Sequence, residues 1–254
     1  MNVQTYLDRI KYDGPVEPTA ETLRRLQVAH LLAVPFENLS IHAHEPIVLD
    51  DQALFQKIVG RRRGGFCYEL NGLFAALLRA TGFEVVMLSA QVANADGHFS
   101  PDFDHMALMV TIDKPWLVDV GFGDSFVEPL SLNERDSQVQ EDRAYRVVVD
   151  GERLLVTQRS DVDPSNEWKP QYRFTLEPYQ YSDYAERCEF HQTSPQSHFT
   201  KARICSLLTP RGRITLSDMR FITTGGAARR ERSVATQEEY ADILREHFGI
   251  VMKQ

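Results

Sequence analysis

The chain has 254 residues, 43% of them hydrophobic, and 28 Lys plus Arg against 36 Asp plus Glu give it a net charge of −8. That length suits one large domain or two to three small ones, and the acidic balance argues against a general nucleic-acid or anionic-membrane binder. No apolar run approaches the ~20 residues that span a bilayer, and the first ten residues carry Asp8 with no apolar signal-type stretch. The cysteines Cys67, Cys188 and Cys205 are odd in number and lack zinc-type spacing, so a reduced, cytoplasmic chain is expected.

The first 82 residues read as helical. Val3, Tyr6, Leu7 and Ile10 mark one short helix, and Thr19 caps a second that runs to about Ala33, ahead of Pro35. Leu54, Phe55 and Ile58 mark a third. Arg61-Arg62-Arg63-Gly64-Gly65-Phe66-Cys67 then runs into an amphipathic pattern, Leu70, Leu73, Phe74, Leu77 and Leu78, with Gly82 as its stop. Cys67 therefore falls in a first helical turn, where free N–H groups and the helix dipole favour an anion and thiol pKa values drop. Gly64 and Gly65 lack Cβ atoms and would let a substrate approach the backbone. A free cysteine is more commonly a small buried hydrophobe; its place at a Gly-Gly/helix junction beside three arginines favours a nucleophile.

From Phe83 the period shortens. Phe83–Val92 is nearly all apolar, and His105–Ile112 and Trp116–Val120 read as strands around Asp113-Lys114-Pro115. Asn133–Arg143 is polar and is expected to be a surface loop, while Tyr145–Val149 and Leu154–Gln158 flank Asp150-Gly151 as a hairpin. Beyond about Glu189, Arg203–Leu208 and Arg213–Leu216 flank another hairpin turn. Thr236-Gln237-Glu238-Glu239 forms a capping box before a last helix bearing Tyr240, Ile243, Leu244 and Phe248, with Gly249 as its stop.

A nucleophilic cysteine needs a base, and the base needs an orienting partner. His30 sits on a leucine-rich helix and reads as a hydrogen-bonded core residue, whereas His42 and His44 lie in a polar stretch. His105 opens a strand directly after a loop, and Asp119 is embedded in the apolar strand Trp116–Val120, where a carboxylate is costly unless paired. Strict pairing about Lys114 sets His105 opposite Gly123 and leaves Asp119 further along, so a bulge or a different turn has to bring the two together. Asp104, Asp124 and Glu69 are the fallback partners. Phe122, between Gly121 and Gly123 beside Asp119, is suited to pack against an aromatic ligand, and a core aromatic in a turn is nearly as good a reading. Arg61–Arg63 read as structural ion-pair partners, and Arg229, Arg230 and Arg232 as an exposed charge run or a phosphate contact.

These residues resemble the arylamine N-acetyltransferase family over most of the chain. Val34-Pro35-Phe36-Glu37-Asn38-Leu39 resembles its N-terminal motif, and Arg63-Gly64-Gly65-Phe66-Cys67-Tyr68-Glu69-Leu70-Asn71 its nucleophile motif. Asp104-His105-Met106 and Val118-Asp119-Val120-Gly121-Phe122-Gly123 match the triad histidine and aspartate, and Ser194-Pro195-Gln196-Ser197-His198-Phe199 a motif of the third domain. The resemblance implies an α+β protein. Its parts would be a helical bundle carrying the nucleophile (1–82), a β-barrel carrying His105 and Asp119 (83–188) and an α/β lid (189–254), the first two arranged as in papain-like cysteine proteases. It implies acetyl-coenzyme A as co-substrate and a small arylamine, arylhydrazine or N-hydroxyarylamine as acceptor, with no metal, nucleic-acid or membrane partner. Cys67, His105 and Asp119 would be catalytic in a ping-pong route through acetyl-cysteine, and Phe122 would meet the acceptor. Gly121 and Gly123 would line the path of the pantetheine arm, and Ser197, His198 and Thr200 would lie near the cofactor cleft. A cysteine hydrolase or peptidase, an amide synthase of the same family and a non-catalytic binding module are the rival functions.

Overall fold

A computed structural model describes residues 1–160, 165–226 and 228–252. Helix α1 (Val3–Arg9) is capped by the Asn2 side chain, and α2 (Ala20–Ala33) by Thr19, whose hydroxyl accepts the Thr22 N–H at 3.2 Å. His30, on α2, is fully buried against Tyr6, whose hydroxyl stands 2.9 Å from Nδ1. Burial pushes this imidazole down to about 3, so it is neutral in the fold and titrates near 6.5 in the unfolded chain. A base with a depressed folded pKa stabilises fully above the unfolded value and loses that contribution as pH falls. Lowering pH from 7 to 5 should therefore cost up to about 2 kcal/mol through this residue. Urea denaturation of wild type and His30→Gln at both pH values should show a steeper loss for wild type; equal slopes would contradict it.

After Pro35 come the short strand β1 (Phe36–Glu37), α3 (Leu39–His42) and α4 (Asp51–Phe55), which runs into a π-helical turn, Gln56–Gly60. Helix α5 (Cys67–Ala80) follows. The pattern predicts an amphipathic helix, yet every residue from Cys67 to Leu78 is buried. Its polar members are tolerated inside because each finds partners: Glu69 pairs with Lys57 at 2.6 Å, and Asn71 bonds the Met106 carbonyl, the Asp119 carboxylate and the Val120 N–H.

Eight antiparallel strands follow: β2 (Glu84–Val92), β3 (His105–Thr111), β4 (Pro115–Val118), β5 (Leu130–Ser131), β6 (Gln138–Gln140), β7 (Arg143–Asp150), β8 (Arg153–Ser160) and β9 (Lys169–Phe174). Their order is β5-β4-β3-β2-β9-β8-β7-β6. Strand β6 lies inside the segment expected to be a surface loop. Val139 points out, 69% exposed, and the glutamines point in, the reverse of the usual alternation. Their amides act as surrogate backbone. Gln138 accepts from Ser131 N at 2.8 Å and donates to Ser131 O at 3.1 Å, while Gln140 accepts from Val127 N and Glu128 N and donates to Glu128 O. Two side chains thus bridge the edges β5 and β6 of a nearly closed barrel and blunt the liability of those edges.

A 3₁₀ turn (Tyr181–Tyr184) leads into α6 (Ala185–Thr193) and α7 (His198–Lys201). The boundary expected between residues 188 and 189 falls inside α6, an unbroken helix. Strands β10 (Ile204–Thr209), β11 (Gly212–Ser217), β12 (Arg220–Gly225) and β13 (Ala228–Ser233) form a second sheet that α8 (Gln237–Phe248) covers through Tyr240, Ile243, Leu244 and Phe248. Strand β1 joins the edge of that sheet, Phe36 opposite Ser206, and so ties the helical part to the last third of the chain. The protein is therefore α+β, a helical bundle, a barrel and an α/β lid. Among the described residues no helix is long and apolar enough to cross a membrane.

Candidate active site

Cys67 is the first residue of α5, behind a turn that two buried ion pairs hold rigid. Arg63 meets Glu37 at 2.8 Å with side-chain exposures of 5% and 0%, and Glu37 also accepts the Leu39 N–H at 2.6 Å. Arg9 adds bonds from its guanidinium to the carbonyls of Ile58, Ala33 and Arg63. Glu69 accepts the Phe66 N–H at 3.1 Å while holding Lys57, so the loop entering the helix is tied at both ends. The space beside Gly64 and Gly65 is not open to a substrate. A Cβ on Gly64 would lie 1.9 Å from the Pro35 carbonyl oxygen, and one on Gly65 2.7 Å from the Glu69 side chain. These glycines permit close chain packing instead.

His105 Nε2 donates to Asp119 Oδ2 at 2.7 Å, with both side chains almost wholly buried. The β3–β4 ladder pairs Thr111 with Pro115 and ends at Leu108 opposite Val118. Its centre is thus Asp113, one residue earlier than strict pairing about Lys114 would set it. Asp119 has left the ladder and lies diagonally from His105 on the same face, which lets the carboxylate reach the ring without a bulge. Oδ1 of Asp119 accepts from Asn71 Nδ2 at 2.9 Å and Gly121 N at 2.8 Å. The fallback acids are engaged elsewhere: Glu69 with Lys57, Asp124 with Arg143, and Asp104 with Arg187.

Cys67 meets the same cluster through the chain neighbours of both residues. The Met106 N–H points at its sulfur, and Gly121 packs so closely that a Cβ there would lie 2.8 Å from the Cys67 Cα and 2.7 Å from Asn71 Nδ2. That contact explains why position 121 is a glycine, and Gly123, at φ +96°, borders open space. Cys67 is only 3% exposed. Burial pushes its thiol well above the ordinary value, Asp104 and Asp119 add to the rise, and the Met106 N–H opposes it. A thiolate here needs its proton taken by a neighbouring base.

Phe122 stacks edge-on to the His105 ring at 5.2 Å, and Tyr172 of β9 packs on both rings at 5.1 Å. Burial and the adjacent Asp119 carboxylate push the Tyr172 phenol well up. Tyr172 and Asn71 are the site residues that sequence reasoning passes over. Asn71 stands four residues after Cys67, one helical turn along the same face, which is a usable signal. Tyr172 lies in a strand masked by Pro170. Two of the three residues assigned to the cofactor cleft are engaged internally. Ser197 is 1% exposed and caps the Phe199 N–H, Thr200 donates to the carbonyls of Ser194 and Ser197, and His198 is exposed on the surface.

Next to Gly123, a cavity of about 390 Å³ is lined by Asp124, Arg143, Arg211 and Arg213 together with Gly225 and Gly226. Arg143 and Arg213 share the single carboxylate of Asp124, at 2.8 and 3.5 Å. Glu141 and Asp142 line the cavity as well, so three arginines face three carboxylates there. Among the described residues no group of His, Cys, Asp and Glu is placed to hold a metal ion.

The N-acetyltransferase family model matches residues 19–254. Arylamine N-acetyltransferase 2 of Mus musculus is 33% identical over 277 residues, covering 100% of this chain and 96% of the relative. The arylamine N-acetyltransferase / N-hydroxyarylamine O-acetyltransferase of Salmonella typhimurium is 33% identical over 98% of this chain and 88% of its own length. The solved arylamine N-acetyltransferase from Salmonella typhimurium superposes with a TM-score of 0.92 at 31% identity, covering 99% of this chain and 92% of that one. The Mycobacterium marinum enzyme in complex with CoA superposes at 0.89 with 32% identity, over 98% and 93%. Full-length identity of this order, on the same helical bundle, barrel and lid, means that the chain belongs to the arylamine N-acetyltransferase family, a family of acyltransferase enzymes.

Proposed function

We propose that this chain moves an acetyl group from acetyl-coenzyme A to an arylamine, arylhydrazine or N-hydroxyarylamine through an acetyl-Cys67 intermediate. The observation that carries this is the buried His105–Asp119 pair, 2.7 Å apart, beside a cysteine at a helix start. With Nε2 committed to Asp119, Nδ1 is the nitrogen left to take the Cys67 proton. The resulting imidazolium is stabilised by Asp119, which also fixes the tautomer. Sγ attacks the thioester carbonyl, the bond to the coenzyme sulfur breaks, and that sulfur leaves with the proton from His105. The amine then attacks acetyl-Cys67, gives its proton to His105 and releases the Cys67 sulfur. The free Cys67 N–H of the first helical turn is the donor for the oxyanion. Deep burial of the sulfur keeps water from the thioester between the two halves. Free cysteines throughout fit a reducing cytoplasm.

The donor's phosphates belong in the arginine-lined cavity. Gly121 rests on Cys67, and Asp124 in the cavity wall follows three residues later, a chain reach of at most about 11 Å. Arg213→Gln should raise KM for acetyl-coenzyme A about tenfold and leave turnover of acetyl-pantetheine, which has no phosphate, unchanged. An equal loss with both donors would place the phosphates elsewhere. Initial rates at varied donor and arylamine concentrations should give parallel double-reciprocal lines; intersecting lines would mean that no acetyl-enzyme separates the two halves.

A further inference from the structure

A second Asp–His pair stands beside the first. Asp104, directly before His105, is held by α6: Arg187 Nε donates to its Oδ1 at 2.8 Å, Arg187 Nη2 donates to the same oxygen, and His191 Nε2 lies 3.2 Å from it. The three side chains are 16%, 21% and 6% exposed, so the charges meet in a largely dry environment. The His191 ring packs edge-on to Phe66 at 6.2 Å and on Tyr68 at 5.9 Å, the two residues that flank Cys67. The Tyr68 hydroxyl in turn donates to the Phe103 carbonyl, one residue before Asp104. Helix α6 therefore touches the chain neighbours of both Cys67 and His105, although the transfer steps above use none of its groups.

A buried carboxylate near a sulfur that must become an anion opposes catalysis unless a cation offsets it. The other titratable groups that bear on Cys67 are Asp119 from the barrel, with His105 bonded to it, Tyr68 on α5, Tyr184 in the 3₁₀ turn and Cys188 on α6. Within this set and its immediate partners, Arg187 brings the permanent cation. We propose that Arg187 is a positioning residue that pins Asp104 and cancels its charge, so that the Cys67 thiolate forms at neutral pH. This rests on Cys67 being the nucleophile. His191 wedges α6 against the residues that flank Cys67 and keeps the guanidinium on its carboxylate.

The test is the pH profile of Cys67 alkylation by iodoacetamide, followed by peptide mass, in the full chain. Arg187→Gln should move the profile to higher pH and slow alkylation at pH 7 roughly tenfold. Arg187→Lys, which keeps the charge, should stay close to wild type. Asp104→Asn alone should move the profile to lower pH, and Arg187→Gln/Asp104→Asn should return it to the wild-type position. A purely structural role would leave the double variant as slow as Arg187→Gln. That result, or an unmoved profile in both single variants, overturns the proposal. If the profiles shift as expected but wild type gains no acetyl group from acetyl-coenzyme A, the transfer function fails and the electrostatic role of Arg187 stands.

Discussion

Replacing Asp119 by asparagine should lower acetyl transfer by roughly 10³- to 10⁴-fold while leaving the melting temperature near that of wild type. One oxygen of Asp119 already serves the Asn71 amide and the Gly121 N–H, at 2.9 and 2.8 Å. An asparagine keeps those bonds only by turning its carbonyl toward them and its NH₂ toward His105. The NH₂ then demands an acceptor at Nε2, which drives the ring proton to Nδ1, the nitrogen that has to receive the thiol proton. The imidazolium also loses its counter-charge. Steady-state kinetics with a thermal melt checks both halves. A loss below about tenfold would show that Asp119 is a packing residue.

Arg63→Met should cost about 3–5 kcal/mol of stability, because it leaves the Glu37 carboxylate buried without its main partner. Glu37 has no exposed surface. Burial pushes its carboxyl up, but the Lys57 and Arg63 cations and the Leu39 N–H outweigh this and hold it below the usual range. Its contribution is therefore present above the unfolded pKa, about 4.3, and is lost as pH falls through the folded value. Arg63→Met/Glu37→Gln should recover much of the deficit, since an amide costs less to bury than an unpaired charge. Urea denaturation at pH 7 gives these differences directly. A change under about 1 kcal/mol in the single variant would mean that the pair behaves as a surface salt bridge.

Much of the fold is legible in the sequence where local chemistry and burial agree. Thr19, Thr236 and Gly249 bound their helices because caps act within a few residues, and the hairpin at Asp150-Gly151 follows from turn chemistry. The elements that escape sequence reasoning depend on distant partners. Strand β6 reads as a loop because its inward residues are Gln138 and Gln140, whose amides are satisfied only by the backbone from Val127 to Ser131. Strand β13, Ala228–Ser233, is exposed throughout and reads as a charge run; it is a strand because β12 pairs with it. Cys67, His105 and Asp119 are conspicuous as chemistry, a thiol at a glycine turn and an acid in an apolar strand. Their support is less visible. Asn71 reads as one polar residue in a helix until the barrel brings Asp119 to it, and Asp104 reads as a spare partner for His105 until α6 brings Arg187.

On the proposed route, Cys67 carries the acetyl group between donor and acceptor. Intact-protein and peptide mass spectrometry after mixing with acetyl-coenzyme A, without and then with an arylamine, tests it most directly. One acetyl group should appear on Cys67, persist in water, and leave when the arylamine is added, with the N-acetyl product formed in equal amount. Rapid loss of the acetyl group to water regardless of amine would make the chain a hydrolase. N-acetyl product formed with no adduct on Cys67 at any time would contradict the cysteine intermediate.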